Sequence, residues 1–305
     1  MEKEKLFEVI QLLLKKYVKE NGEIQFDSKF IESILFTINP DGTKTINKEI
    51  FGMLCSNSID MNGVSFDNVY ISGYYFGGLK NVEINIQKIP NFDISRTELE
   101  GVKLIGTLDG ANIRETKFKG YIGELTLDPQ KVKNKDLYFT DLAGIKINGS
   151  FDNVMISMTR FKNAIGEIKI NPQKVQDKDL SYTEFSGVEL VGTYHEETNT
   201  YDAPCFDDCK LWATDFTDHI GNAVINPQTI KNKSISMCNV CGVTFNGSFD
   251  GVSIYATRFK GSKGAKINLN NVKCYSDHTD LRDVEILNQN EKMVKKRGLS
   301  PNIKR

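Results

Sequence analysis

The chain has 305 residues, with 39 lysines and arginines against 40 aspartates and glutamates, three histidines and six cysteines. So even a balance excludes a chain built around one strong field for a polyanion or a membrane surface, and makes nucleic acid an unsuitable partner. No run of eighteen apolar residues is present to cross a bilayer, and Met1-Glu2-Lys3-Glu4-Lys5 lacks the layout of a secretory signal, so a soluble, cytoplasmic protein with no membrane partner is expected.

Residues 1–57 read as a small helical module. From Glu2 to Glu20 the leucines, Phe7, Val9 and Ile10 share one side with lysines and glutamates on the rest, an amphipathic pattern. Ser28–Ile38 and Asn47–Cys55 are predicted as two short helices, separated by the turn Asn39-Pro40-Asp41-Gly42. The module is expected to cap the neighbouring repeat region or to serve as a docking element.

Residues 58–287 repeat. Asn81–Gly123, Glu124–Gly166 and Asn222–Gly264 are each 43 residues long, and Glu167–Gly221 is the same unit lengthened by twelve. Three phrases recur in fixed order. Asp128-Pro129-Gln130 returns as Asn171-Pro172-Gln173 and Asn226-Pro227-Gln228, and Gly149-Ser150-Phe151-Asp152 as Gly247-Ser248-Phe249-Asp250. Thr116-Lys117-Phe118-Lys119 returns as Thr159-Arg160-Phe161-Lys162 and Thr257-Arg258-Phe259-Lys260.

Inside each unit, apolar residues step by five with an occasional four: Leu137, Leu142, Ile147, Phe151, Ile156, Phe161, then Ile170, Val175 and Leu180. Neither a helix nor an ordinary strand has that period. A small or β-branched residue stands two positions before several anchors, as Thr140 before Leu142 and Val154 before Ile156. The layout is that of a chain turning a corner every five residues, so that one period makes two coils with the Asx-Pro-Gln phrase at a corner.

Thr140-Asp141-Leu142-Ala143-Gly144 and Ala111-Asn112-Ile113-Arg114-Glu115 carry a resemblance to the pentapeptide-repeat proteins, which extends from about Ile59 to Leu287. The resemblance implies an all-β solenoid, a right-handed parallel β-helix of quadrilateral section, here with a small N-terminal α-helical cap. The four-residue steps, the proline corners and the insertion mark an irregular member. It implies little about function, because such scaffolds host several.

The insertion Tyr194–Cys205 breaks the repeat and is expected to leave the coil as a loop. Its Tyr194, His195, Glu196, Glu197, Tyr201 and Asp202, with Asp207 and Asp208 just beyond, are the candidate partner-binding residues. No recognised spacing supports a catalytic or metal role for them, so neither a catalytic residue nor a cofactor is expected. The other histidines, His219 and His278, read as surface residues. Cys205, Cys209, Cys238 and Cys241 superficially resemble a four-thiolate zinc site. The register opposes it: Cys238 takes the inward place of Thr140, Cys241 the outward place of Ala143, and Cys209 the inward place of Val154 and Val252.

Charges recur in rows. Lys117, Arg160, Asp215 and Arg258 form one, Lys119, Lys162, Thr217 and Lys260 another, and Lys135, Lys178 and Lys233 a third; Asp109, Asp152, Asp207 and Asp250 form an acidic row, with Glu98, Asp141 and Glu184 on a further line. Residues 288–305 close the chain with six bases against one acid, a basic tail.

Three functions are compatible with this. The leading one is a non-enzymatic scaffold presenting a rigid β-helix and one loop to a protein partner. The resemblance supplies a second, a DNA-mimicking binder of DNA gyrase or another topoisomerase, but residues 58–287 hold thirty acids against twenty-five bases, a weak charge for that task. The third is an effector with chemistry at residues 194–208. The lysine-, asparagine- and isoleucine-rich composition fits an AT-rich bacterium or its phage.

Overall fold

A computed structural model describes residues 26–287, so the expected helix over Glu2–Glu20 and the basic tail lie outside the described residues. The described residues form about ten turns of parallel β-solenoid. They fall into two compact units: one reaches to Leu127 and includes Lys131–Asn134 and Gly144–Lys146, and the other comprises Asp128–Gln130, Lys135–Ala143 and the chain from Ile147 on. No helix among the described residues is long and apolar enough to cross a membrane.

The first unit opens with helix α1, Ser28–Leu35, started by Asp27, whose carboxylate accepts from the backbone N–H of Lys29 at 2.9 Å and of Phe30 at 3.1 Å. The helix expected to reach Ile38 stops at Leu35. Phe36–Ile38 is instead strand β1, paired antiparallel with β2, Lys44–Ile46, across the Asn39–Thr43 turn. The β-branched Thr37 and Ile38 fit a pleated strand better than a helix turn, and β2 in turn pairs parallel with Val69–Tyr70, which draws the hairpin into the solenoid sheet. Helix α2, Lys48–Ser56, is capped by Asn47 and buries Ile50, Phe51, Met53 and Leu54. The Phe51 ring packs edge-on against Tyr74 and Phe76, at 5.2 Å from each, so α2 covers apolar side chains of the first coils that water would otherwise reach.

In both units the five-residue period produces the core. Leu137, Leu142, Ile156, Phe161, Leu180, Phe185, Ile254 and Phe259 are all buried, at 1% exposure or less. The small residues two places before the anchors are also buried and form a ladder of their own. Each hydroxyl donates to a carbonyl of the coil before it: Thr159 to Leu137 at 2.7 Å, Thr183 to Ile156 at 2.9 Å, Thr214 to Leu180 at 2.8 Å and Thr257 to Ile235 at 2.7 Å. A buried hydroxyl is tolerated only with such a partner. Threonine therefore satisfies volume and hydrogen bonding in one residue.

The recurring phrases interlock at the corners. The Gln228 amide donates to the carbonyls of Ser248 at 2.8 Å and Asp250 at 2.9 Å, and Gln130 makes the equivalent pair to Ser150 and Asp152. The same glutamines accept from lysine: Lys135 reaches Gln130 at 2.6 Å and Lys233 reaches Gln228 at 2.8 Å. Gly247 sits under Asn226 at φ 139°, where a Cβ would lie 2.5 Å from the Asn226 side-chain oxygen. The Asx-Pro-Gln and Gly-Ser-Phe-Asp phrases are thus the two halves of one joint between successive coils.

Candidate partner-binding site

The same joint locates the insertion. Gln173 donates to the carbonyls of Cys205 at 3.1 Å and Asp207 at 2.8 Å, as Gln130 does to Ser150 and Asp152, so Cys205 fills the place of Ser150. The twelve extra residues are therefore 193–204, one position earlier than the repeat alignment sets them. They form a β-hairpin rather than a loop, with Tyr194–His195 paired antiparallel to Thr200–Tyr201.

Hydrogen bonds fix the base of the hairpin. The Gly192 N–H donates to the Asp202 carbonyl at 2.8 Å, the Asp202 N–H to Thr193 at 2.9 Å, and the Asn171 amide holds the Gly192 carbonyl at 2.8 Å. Gly192 has no room for a Cβ, which would stand 2.5 Å from the Ala203 carbonyl oxygen. The tip turns at Asn199, in the left-handed region at φ 52°, where asparagine is tolerated better than most residues.

Of the candidate residues, six lie on the hairpin, and four of them form two side-chain pairs. The Tyr194 and Tyr201 rings, both exposed, lie 4.9 Å apart across the pair, and Tyr194 Oη donates to Asn199 Oδ1 at 2.7 Å. His195 Nε2 lies 2.9 Å from Asp202 Oδ2, and both side chains are about half exposed. Glu196 and Glu197 are exposed at the tip. Asp207 and Asp208 are separate from this group. They belong to the coil corner, where Asp207 offers its carbonyl to Gln173 and Asp208 pairs with Lys231 at 3.1 Å.

One residue the candidate set omits is Lys169. Its ammonium stands 5.2 Å from the centre of the Tyr201 ring, between Glu189 at 3.6 Å and Glu167 at 3.7 Å. The Glu189 carboxylate, with Glu167 adding to it, holds this ammonium above the ordinary lysine range against a smaller opposing desolvation. Nothing in the local sequence marks it, because it lies more than thirty residues before the ring it supports.

The charge rows have internal partners. In the acidic row, Asp109 faces Lys131 at 3.5 Å and Asp152 faces Lys174 at 3.3 Å, one coil further on, and Asp67 and Lys88 repeat the pairing at 2.7 Å. The row of Arg160, Asp215 and Arg258 and the line of Asp141 and Glu184 are one column, not two: bridges run Asp141–Arg160–Glu184–Asp215–Asn239–Arg258–Asp280. Coils of 19 residues (Asp141 to Arg160) and 24 residues (Arg160 to Glu184) alternate, so residues one repeat apart are two coils apart; Arg160 stands between Asp141 and Glu184, whereas Glu184 and Asp215 are adjacent acids. Several of these carboxylates are also bound at their own corner, Asp141 accepting the Ala143 N–H at 3.1 Å and Asp215 the Thr217 N–H at 2.8 Å.

Cys209 and Cys238 are buried, and desolvation pushes each thiol up to about 12. Cys238 donates to the Leu211 carbonyl in the place of a ladder threonine. Cys241 is half-buried and Cys205 exposed, and no group of three metal-ligating side chains occurs among the described residues.

The five-residue sides, the parallel coil-to-coil pairing and the inward threonine and apolar columns define the class: a parallel β-solenoid of the pentapeptide-repeat type. No protein-family model matches the chain, and no curated protein matches it significantly. Among solved structures it is similar to HetL, a pentapeptide repeat protein involved in heterocyst differentiation regulation from the cyanobacterium Nostoc sp. strain PCC 7120, with 12% identity over 71% of this chain and 84% of that chain and a TM-score of 0.30. It is also similar to QnrB1, a plasmid-mediated fluoroquinolone resistance protein, with 15% identity over 75% of this chain and 94% of that chain and a TM-score of 0.17.

Proposed function

We propose that the chain is a non-enzymatic protein-binding scaffold and that the hairpin from Tyr194 to Asp202 makes its main partner contact. The observation that carries this reading is the exposed Tyr194–Tyr201 pair, supported from below by Lys169 and bordered by Glu196, Glu197 and the His195–Asp202 pair. Tyrosines give large, rigid contact area at small entropic cost and are enriched where proteins meet. The repeat phrases, in contrast, have their polar groups engaged in coil-to-coil joints.

Chemistry at residues 194–208 has less support, because His195 and Asp202 sit open to solvent on a two-stranded ribbon and Asp207 and Asp208 are held in the coil. Topoisomerase mimicry also has less support, because two of the four carboxylates in the acidic row, Asp109 and Asp152, face lysines of the next coil. Affinity capture from the native cell with the full chain and with a variant lacking Thr193–Pro204 tests the proposal. The variant rejoins Gly192 to Cys205 as Gly149 joins Ser150, and is expected to lose the partner while keeping its fold.

A further inference from the structure

A second surface runs along one corner of the second unit. Backbone bonds step from Phe139 to Ser157, Met158 to Ser181, Tyr182 to Trp212, Ala213 to Ser236 and Met237 to Tyr255, so six successive coils stack this corner rung on rung. Its outward side chains are Phe139, Met158, Tyr182, Trp212, Met237 and Tyr255. Five are between 39% and 47% exposed, Met158 is half-buried, and Tyr182 meets Trp212 edge-on at 5.0 Å. At about 4.8 Å per coil the strip is roughly 24 Å long. None of the corner positions is charged, whereas the same corner of the first unit carries Arg96, Arg114 and Glu115, with Glu115 paired to both arginines at 3.3 Å.

Phe139, Met158, Tyr182 and Met237 occupy left-handed backbone, at φ 55°, 63°, 59° and 63°, where bulky side chains are disfavoured and asparagine or glycine would sit at less cost. Because these side chains project outward, core packing does not offset that cost. The columns on either side, which bridge coil to coil, hold Asp136, Asp141, Asp179, Glu184 and Asp215 against Arg160, Lys210 and Arg258. These two columns are therefore net negative, with five acids against three bases, and Lys210 is already engaged by Asp179 at 3.1 Å.

We infer that this corner binds a protein segment that alternates apolar and cationic side chains, the apolar ones lying along the strip and the arginines or lysines reaching the ring faces and flanking carboxylates. Aromatic and methionine side chains are enriched in protein interfaces, and tryptophan and tyrosine provide most of the anchoring energy there. A cation over a ring face adds attraction. The inference stands whether or not the hairpin captures a partner.

Trp212 is the only tryptophan in the chain and lies within the strip, so its emission reports occupancy directly. The probe is an alternating arginine–leucine octapeptide titrated into the full chain. A saturable blue shift is expected, with affinity about tenfold weaker in Tyr182→Ala/Tyr255→Ala and in Met237→Lys, both surface changes that leave the core intact. The shift should persist after deletion of Thr193–Pro204 and be absent with a glutamate–leucine octapeptide. Equal affinity in wild type and both variants, or an equal response to the acidic peptide, overturns the inference. So does a shift with a neutral β-linked glucan but none with the basic peptide, or concentration-dependent self-association that the variants abolish, which would make the occupant a sugar chain or a second copy.

Discussion

At the scale of single residues, the inward columns explain why this sequence tolerates little change. Phe161 is buried between Phe151 at 5.5 Å and Phe185 at 6.4 Å, so truncation leaves a cavity that neighbours fixed by coil pairing cannot collapse into. Phe161→Ala is expected to destabilise the chain by about 3–5 kcal/mol in equilibrium denaturation. The buried thiols give a test with a definite sign. Cys209 and Cys238 keep their protons up to about 12 when folded, whereas in the unfolded chain each is released near the ordinary value of 9.0. Between those limits the unfolded state binds fewer protons, so stability falls as pH rises, by about 1.4 kcal/mol per pH unit per thiol. From pH 9 to 10.5 the wild type should lose about 2 kcal/mol more than Cys238→Thr, which replaces the thiol with the hydroxyl of its sister coils. Native protein at pH 8 should react with a thiol reagent at Cys205 and Cys274 and leave Cys209 and Cys238 unlabelled. The inward places of Cys209 and Cys238 and the outward place of Cys241 were legible from repeat register, because register sets the face regardless of side chain. The partner of each buried hydroxyl was not, since it is a backbone carbonyl 22 to 34 residues away.

At the scale of elements, the joint between Asx-Pro-Gln and Gly-Ser-Phe-Asp makes the glycine obligatory. Gly247→Ala must place a Cβ on Asn226 and hold alanine at φ 139°, so a loss of about 2 kcal/mol or more is expected, against a negligible change for Gly251→Asn, where nothing lies within 4 Å and φ is 71°. Thermal unfolding of the two variants checks the contrast. The sequence shows these phrases as recurrences, but only the coil geometry shows that each phrase holds the next. Two elements escaped periodicity altogether. Phe36–Ile38 follows α1 without a break in apolar character, and the hairpin strands are two residues each, too short to have a period. The Phe139–Tyr255 corner was hidden differently: its successive members are between 18 and 30 residues apart, so a search at the 43-residue period does not connect neighbours in the strip.

At the scale of the whole molecule, part of the charge on one coil is countered by the next. Lysines facing Asp67, Asp109 and Asp152 interrupt the acidic corner among the described residues, which makes it a poor replacement for a phosphate backbone. Purified protein is accordingly expected not to inhibit DNA supercoiling by gyrase at sub-micromolar concentration, and inhibition that disappears on Asp109→Asn/Asp152→Asn would reverse that conclusion. The hairpin, by contrast, stands clear of the coil-to-coil joints. The measurement that tests the scaffold reading most directly is the affinity of the captured partner for the full chain and for the chain lacking Thr193–Pro204, with thermal unfolding of both. The expected result is a loss of about a hundredfold or more in affinity with midpoints within about 4 °C of each other, since the hairpin is exposed and the sister coils close the same corner without it. Equal affinity for both chains, with the fold intact in each, would contradict it.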